Sequence, residues 1–385
     1  MNRMCNCKTS SSTIPSHKHA AMLQIRLLDG GLGTTLEAPP YHVCFGTDTP
    51  LWSSHLLISD PTKLQAAHKA FLDAGADILL TATYQTSTAG FTRTDASYTP
   101  QDAARYMRSA IPLAWAAIAS LGEGQRPRQV ALSLGPYGAT TFPVGTEYTG
   151  LYPPEMDRED ALREWHAQRL KMFIEGETEG DSDSSWDKID YVAFETVLRQ
   201  DEVRAVRGAM FDVLRGQDRV QGQKSRESKP WWICGVFPAE EVDEDAIRKW
   251  VDAALAEESG FPRPWGIGLN CVRMENVAKI VSIMQDEVRR LSEMPQGGFA
   301  DEWDSSSGKP WLVLYPDGTK GEKYDQVTKT WVKVREPIET RPWDEAYWDV
   351  VQSVSEEDWE GLVMGGCCRA GPAEISALRR RIDAA

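Results

Sequence analysis

The stretch DPTKLQAAHKAFLDAGADILLT, residues 60–81, holds one complete structural sentence and sets the reading of the rest. Asp60 and Pro61 fit the cap and first helical position. Leu64, Ala67, Phe71 and Ala74 then recur at helical spacing on one face, and Gly75 closes the helix. Directly after it, Asp77–Thr81 is short and apolar at nearly every position, as a strand buried on both faces of a parallel sheet must be. The same cadence returns along the chain. Eight such runs occur, at Ile25–Leu28, Asp77–Thr81, Val130–Leu134, Tyr191–Glu195, Trp232–Val236, Gly266–Asn270, Trp311–Tyr315 and Leu362–Gly365. Amphipathic stretches near 101–121, 158–175, 200–215, 243–258, 273–291, 343–354 and 373–383 lie between or after them. Eight strand–helix units describe either a closed (β/α)8 TIM-type barrel or a large open doubly wound sheet. The count of eight, and the lack of a complete GxGxxG after the first run, favour the barrel.

Composition agrees with one large soluble α/β unit. The chain has 385 residues, 41% of them hydrophobic, with 14 Trp, 11 Tyr and 10 Phe, which excludes global disorder. Its 57 acidic against 42 basic residues give a net charge of −15, which argues against a general nucleic-acid binder. No run approaches the roughly 18–20 apolar residues of a membrane span. Residues 1–22 lack the apolar core of a secretory signal and read as a disordered leader before a single domain over 23–385. Seven thinly spread cysteines fit a reducing, cytoplasmic setting better than a disulfide framework. Three polar stretches, near 175–188, 215–229 and 293–309, interrupt the cadence before strands and read as surface insertions on the side away from the chemistry.

A barrel of this kind carries its active site at the C-terminal ends of its strands. Those ends bring Asp29-Gly30-Gly31, Thr81, Tyr137, Glu195, Asn270-Cys271, Asp317 and Gly365-Gly366-Cys367-Cys368 to one rim. Three thiolates on two distant strand tips suit zinc with its fourth position open, although a buried core thiol or a redox pair is an alternative for the same residues. Asp29 and Glu195 are either helix caps or a clamp for a substrate ammonium. Gly30 and Gly31 leave backbone N–H groups room to face a substrate carboxylate. The histidines occupy no strand end, and no G-x-S-x-G elbow is present, so a Ser–His–Asp hydrolase is unsupported.

Taken together, LLDGGLGTTLE (27–37), AGADILLTATYQTS (74–87), SLGPYGA (133–139), FET (194–196), GIGLNC (266–271) and GGCCR (365–369) resemble the homocysteine S-methyltransferase family. PLWSSHLL (50–57), GTEYTGLY (145–152), His166-x-x-Arg169 and LVLYPDGTKGEKYD (312–325) look like the branch using S-methylmethionine or S-adenosylmethionine. The resemblance implies Cys271, Cys367 and Cys368 as ligands of Zn2+, and Asp29 and Glu195, with Gly30 and Thr81 nearby, as groups around the homocysteine. Tyr137 is the candidate contact to the methyl donor, with Tyr148 and Trp52 as further aromatic candidates. Methyl transfer to selenocysteine or another small thiol, and a non-catalytic zinc- or thiol-binding sensor, are the competing readings. The loops at 38–50 and 315–322 are longer than that family's usual ones.

Overall fold

A computed structural model describes residues 23–46, 49–122, 126–141, 145–174, 185–217, 228–294, 308–325 and 330–385. Eight parallel strands form the barrel: β1 Gln24–Leu27, β2 Ile78–Leu80, β3 Gln129–Leu134, β4 Tyr191–Phe194, β5 Trp231–Gly235, β6 Gly266–Asn270, β7 Trp311–Tyr315 and, after a two-stranded insertion (β8 Glu322–Asp325, β9 Thr330–Lys333), β10 Gly361–Met364. They pair in the order β1-β10-β7-β6-β5-β4-β3-β2. The remaining seam, between β1 and β2, is bridged at Leu28 and Ile78, with Asp77 N–H donating to Leu27 O at 2.6 Å and Asp29 N–H to Ile78 O at 3.1 Å. The (β/α)8 barrel expected from the cadence is the fold observed, with limits shifted by one residue at β1, β5 and β10, β2 shorter by one at each end, β3 starting one earlier and β4 ending one earlier.

Alternation along the strands separates two cores. Tyr191, Ala193, Trp232, Cys234, Trp311, Val313, Tyr315 and Val363 fill the barrel interior, while Val192, Phe194, Ile233, Leu312, Leu314, Leu362 and Met364 pack under the surrounding helices. The period of two that turns Tyr191 and Ala193 inward carries on to Glu195. The same step carries Val363 on to Gly365 and Cys367. At the opposite end of the cylinder, the Arg26 guanidinium sits 4.5 Å from the Trp311 ring centroid, and Trp265 stacks on Trp311 at 4.6 Å.

One sequence expectation changes. The insertion read as ending at Lys188 stops sooner, because Ser185–Lys188 forms a helical turn whose Trp186 is fully buried in the outer core. An indole that large gains too much from burial to remain on a surface loop. The long loop after β7 leads into the paired strands β8 and β9, in which Tyr324 and Trp331 face each other at 5.3 Å. Trp331 donates to Glu37 Oε2 at 3.1 Å, and the Arg369 guanidinium lies 4.8 Å from its ring, so the hairpin folds back over the rim. The leader at 1–22 and most of the three polar stretches lie outside the described residues.

Candidate active site at the barrel rim

Cys271, Cys367 and Cys368 meet at the rim, with their sulfur atoms all within 4.8 Å of one another. Cys271 and Cys367 are joined as a disulfide, with Cα atoms 5.5 Å apart, and Cys368 is free. The convergence of the three sulfurs expected from the sequence is present, with Cys271 and Cys367 in direct contact and Cys368 within reach of both. A tetrahedral zinc with Zn–S bonds of ~2.3 Å needs sulfurs about 3.8 Å apart, which the reduced cluster can meet within its observed span. Burial pushes the Cys368 thiol up to about 12, so a nearby cation is what would hold it as thiolate at neutral pH.

Backbone bonds lock these sulfurs to neighbouring strand ends. Cys367 N–H donates to Pro316 O at 2.9 Å, Gly318 N–H to Cys368 O at 2.7 Å, and Asp317 N–H to Val272 O at 2.9 Å. Gly31 must be glycine, because a Cβ there would strike the Cys367 carbonyl. Its N–H donates to Ala370 O at 2.9 Å. That corrects the expectation that the Gly31 amide faces a substrate carboxylate; of the two glycines, only Gly30 keeps that reading. Cys271 itself takes a left-handed backbone, φ 51°, as does Thr196, φ 60°. Asn270 links the two: its Oδ1 accepts from Thr196 N–H at 2.7 Å, and its Nδ2 donates to Thr196 Oγ1 at 2.7 Å and to Cys271 Sγ at 3.4 Å.

The carboxylates Asp29 and Glu195 stand at strand ends of the same sheet and interact with each other. Asp29 is buried; its Oδ2 accepts from Leu80 N–H at 2.9 Å, and its Oδ1 has no partner among the described residues. Burial, reinforced by the Glu195 charge, holds the Asp29 carboxyl well above the usual carboxylate range. Glu195 is pushed up to about 7, chiefly by burial, with the Ser133 hydroxyl opposing the shift by donating to its Oε1. Thr81 acts through this same group: its Oγ1 accepts from Ser133 N–H at 3.0 Å and bonds Thr83 Oγ1 at 2.7 Å.

The aromatic candidates divide. Tyr148 shares the electrostatic neighbourhood of Cys368, whereas Trp52 packs on Phe45 at 5.7 Å. Tyr137 stands edge-on to Tyr152 at 5.2 Å and Trp165 at 5.5 Å, lining a cavity of about 710 Å³ with Arg93, Trp165 and Arg169.

Sequence reasoning overlooked the supports beneath the loops. Buried Glu202 accepts from Tyr137 N–H at 2.7 Å and Tyr152 Oη at 2.6 Å, and its Oε1 lies 3.1 Å from His166 Nε2. Arg169 donates to Gly135 O, Thr83 O and Tyr84 O at 2.7–2.8 Å, tying the loops after β2 and β3 together.

A parallel barrel with three sulfurs and two buried, proton-hungry carboxylates on its catalytic rim defines a class: an enzyme that handles a small amino-bearing thiol. Comparison with known proteins names the lineage. Residues 26–382 match the homocysteine S-methyltransferase family, and the chain belongs to it. Homocysteine S-methyltransferase 2 of Arabidopsis thaliana is 27% identical, with 92% of each chain covered. Selenocysteine Se-methyltransferase of Brassica oleracea var. italica is also 27% identical, covering 92% of this chain and 88% of that one. The metallated form of the homocysteine methyltransferase MmuM from Escherichia coli has the same fold, with a TM-score of 0.62 at 24% identity over 93% of this chain and 96% of that one. Among the described residues no helix is long and apolar enough to cross a membrane.

Proposed function

We propose that this enzyme transfers a methyl group from a sulfonium donor, S-methylmethionine or S-adenosylmethionine, to the thiol of L-homocysteine, forming methionine, with Zn2+ held by Cys271, Cys367 and Cys368. The observation that carries the reading is the convergence of those three sulfurs at the strand ends, the same end of the barrel from which Asp29 and Glu195 project as an interacting pair. Bound there, the ion would lower the acceptor thiol's pKa from its ordinary ~8.5, making a thiolate available at neutral pH.

The chain's own groups do the rest. Asp29 Oδ1 and Glu195 receive the acceptor's ammonium, whose charge relieves the cost of keeping two carboxylates buried together. Ser133 and Thr81 fix the Glu195 carboxylate, and Asn270 fixes Cys271 relative to it. The acceptor sulfur forms a bond to the methyl carbon as the carbon–sulfur bond of the donor breaks, and that electron pair stays on the departing thioether. The leaving group is neutral and takes no proton, so no general acid is required. That suits a fold whose buried His166 is committed to Glu202.

The test is a donor panel of S-methylmethionine, S-adenosylmethionine and betaine with homocysteine, on protein kept reduced, with zinc measured on the same sample. Methionine formation at about one zinc per chain is expected, and Cys367→Ser should abolish both. Full activity after exhaustive metal removal would overturn the zinc role, and no methionine with any donor would leave the sensor reading standing. Because a selenocysteine enzyme is as similar as the homocysteine enzymes, selenocysteine belongs among the acceptors tried.

A further inference from the structure

Among buried carboxylates of the described residues, nearly every oxygen is committed. Glu202 is held by Tyr137, Tyr152 and His166, Glu287 by Arg248 and Arg290, and Asp358 by Arg289. Two carboxylate oxygens have no hydrogen-bond partner: Asp29 Oδ1, already placed at the acceptor, and Glu147 Oε2. A buried acceptor left unmade costs free energy on the order of 1–3 kcal/mol, more for a charged group, so its retention calls for an occupant.

Glu147 is 5% exposed and lies in the one-turn helix Thr146–Tyr148. Gly145, at φ 102°, turns the chain into that helix, and the Thr146 hydroxyl donates to Gly138 O at 3.1 Å. Gly138 packs so closely on the Glu147 backbone that a Cβ there would collide with it. The turn is therefore clamped to the loop after β3, and the carboxylate is held rather than free to swing out. Its electrostatic neighbours are the neutral side chains of Cys368, Tyr84 and Tyr148, and among the described residues no cationic side chain forms an ion pair with it. A buried carboxylate oxygen in the neighbourhood of Cys368, with aromatic hydroxyls near it and no internal cation, is a receptor for an incoming ammonium.

We infer that Glu147 Oε2 binds the α-ammonium of the methyl donor, making Glu147 the donor's counterpart of what Asp29 and Glu195 are to the acceptor. This rests on the reading above, that the donor is an amino-acid sulfonium. Each substrate then brings one ammonium, and each ammonium meets a buried carboxylate oxygen that the protein itself leaves open. The contact selects donors by their amino-acid end and is independent of the methyl being transferred.

The experiment compares S-methylmethionine with its deaminated analogue, (3-carboxypropyl)dimethylsulfonium, at saturating homocysteine on the zinc-loaded enzyme. Wild type should favour S-methylmethionine in kcat/KM by about 10- to 100-fold, the range of a hydrogen bond to a charged group. In Glu147→Gln that preference should shrink at least tenfold by a rise in the S-methylmethionine KM, while the homocysteine KM stays within about twofold. A wild type that uses both donors equally overturns the inference whether or not the variant folds. So does a variant that keeps the preference, or one in which the homocysteine KM rises instead. In those cases methionine is still formed, whereas a wild type that makes no methionine from any sulfonium overturns the underlying function as well.

Discussion

At the level of single residues, Asn270 joins the end of β4, where the acceptor is proposed to bind, to the sulfur cluster. Among the described residues it is the side chain bonded both to the Glu195–Thr196 segment and to Cys271 Sγ. Asn270→Ala should reduce metal affinity or kcat by about 10- to 100-fold, the usual effect of losing an outer-shell partner. Metal titration beside steady-state kinetics would measure it, and an unchanged value for both would refute the assignment. Glu195 gives a pH prediction. With its carboxyl raised to about 7, it is largely neutral at pH 6 and charged at pH 8. Only the charged form pairs with an ammonium, so homocysteine capture should weaken about tenfold per unit as pH falls below 7. The folded chain holds the extra proton between the ordinary carboxylate range and 7, so this group's contribution to stability declines as pH rises through that window. A homocysteine KM profile that keeps its acid limb in Glu195→Gln would rule Glu195 out as its source. Asp29, Glu195 and the three cysteines could be read from sequence because each stands where an apolar run ends. Glu147 enters the sequence reading only inside the segment GTEYTGLY, without a role, since it lies thirteen residues past its strand with no periodic neighbour to mark it.

Secondary-structure elements and their connections set the next group of expectations. Arg169 projects from the helix Glu159–Ile174 and satisfies three carbonyls of two different loops. Arg169→Ala removes the guanidinium from Gly135 O, while Thr83 O keeps the Thr86 N–H and hydroxyl and Tyr84 O keeps the Gly135 N–H, so stability should fall by roughly 1–3 kcal/mol. A urea midpoint equal to that of wild type would show that water replaces the guanidinium without loss. Gly31→Ala is expected to drive the Cys367 loop outward, so metal retention should drop at least about tenfold while far-UV circular dichroism holds. The strands and most helices were legible because burial on both faces forces short apolar runs and a 3.6-residue stripe forces helices. The hairpin β8–β9 was not legible, because its residues EKYD and TWVK alternate weakly and gain their order from Glu37 and Arg369 far away in sequence. Trp186 was hidden for a related reason: it sits at the end of a polar stretch, and only the assembled outer core reveals its slot.

For the molecule as a whole, the two ends of the cylinder have separate duties. The end away from the sulfurs is closed by Arg26 among Trp311, Trp265 and Tyr191. Arg26→Met should leave methyl transfer within about twofold and lower stability by roughly 1–2 kcal/mol, the value of a sheltered cation–π contact. A loss of turnover without loss of stability would contradict that separation. The opposite end is assembled from remote parts of the chain, with β10 pairing to both β1 and β7 and so completing the cylinder. The loop leaving β10 also delivers two of the three sulfurs. The strand that closes the ring is thus the one that leads into two of the three sulfurs, and a polypeptide ending before β10 possesses neither the closing strand nor Cys367 and Cys368. If the trio holds a metal as proposed, ion uptake requires the same last strand that completes the wall, so retained metal would report closed barrels.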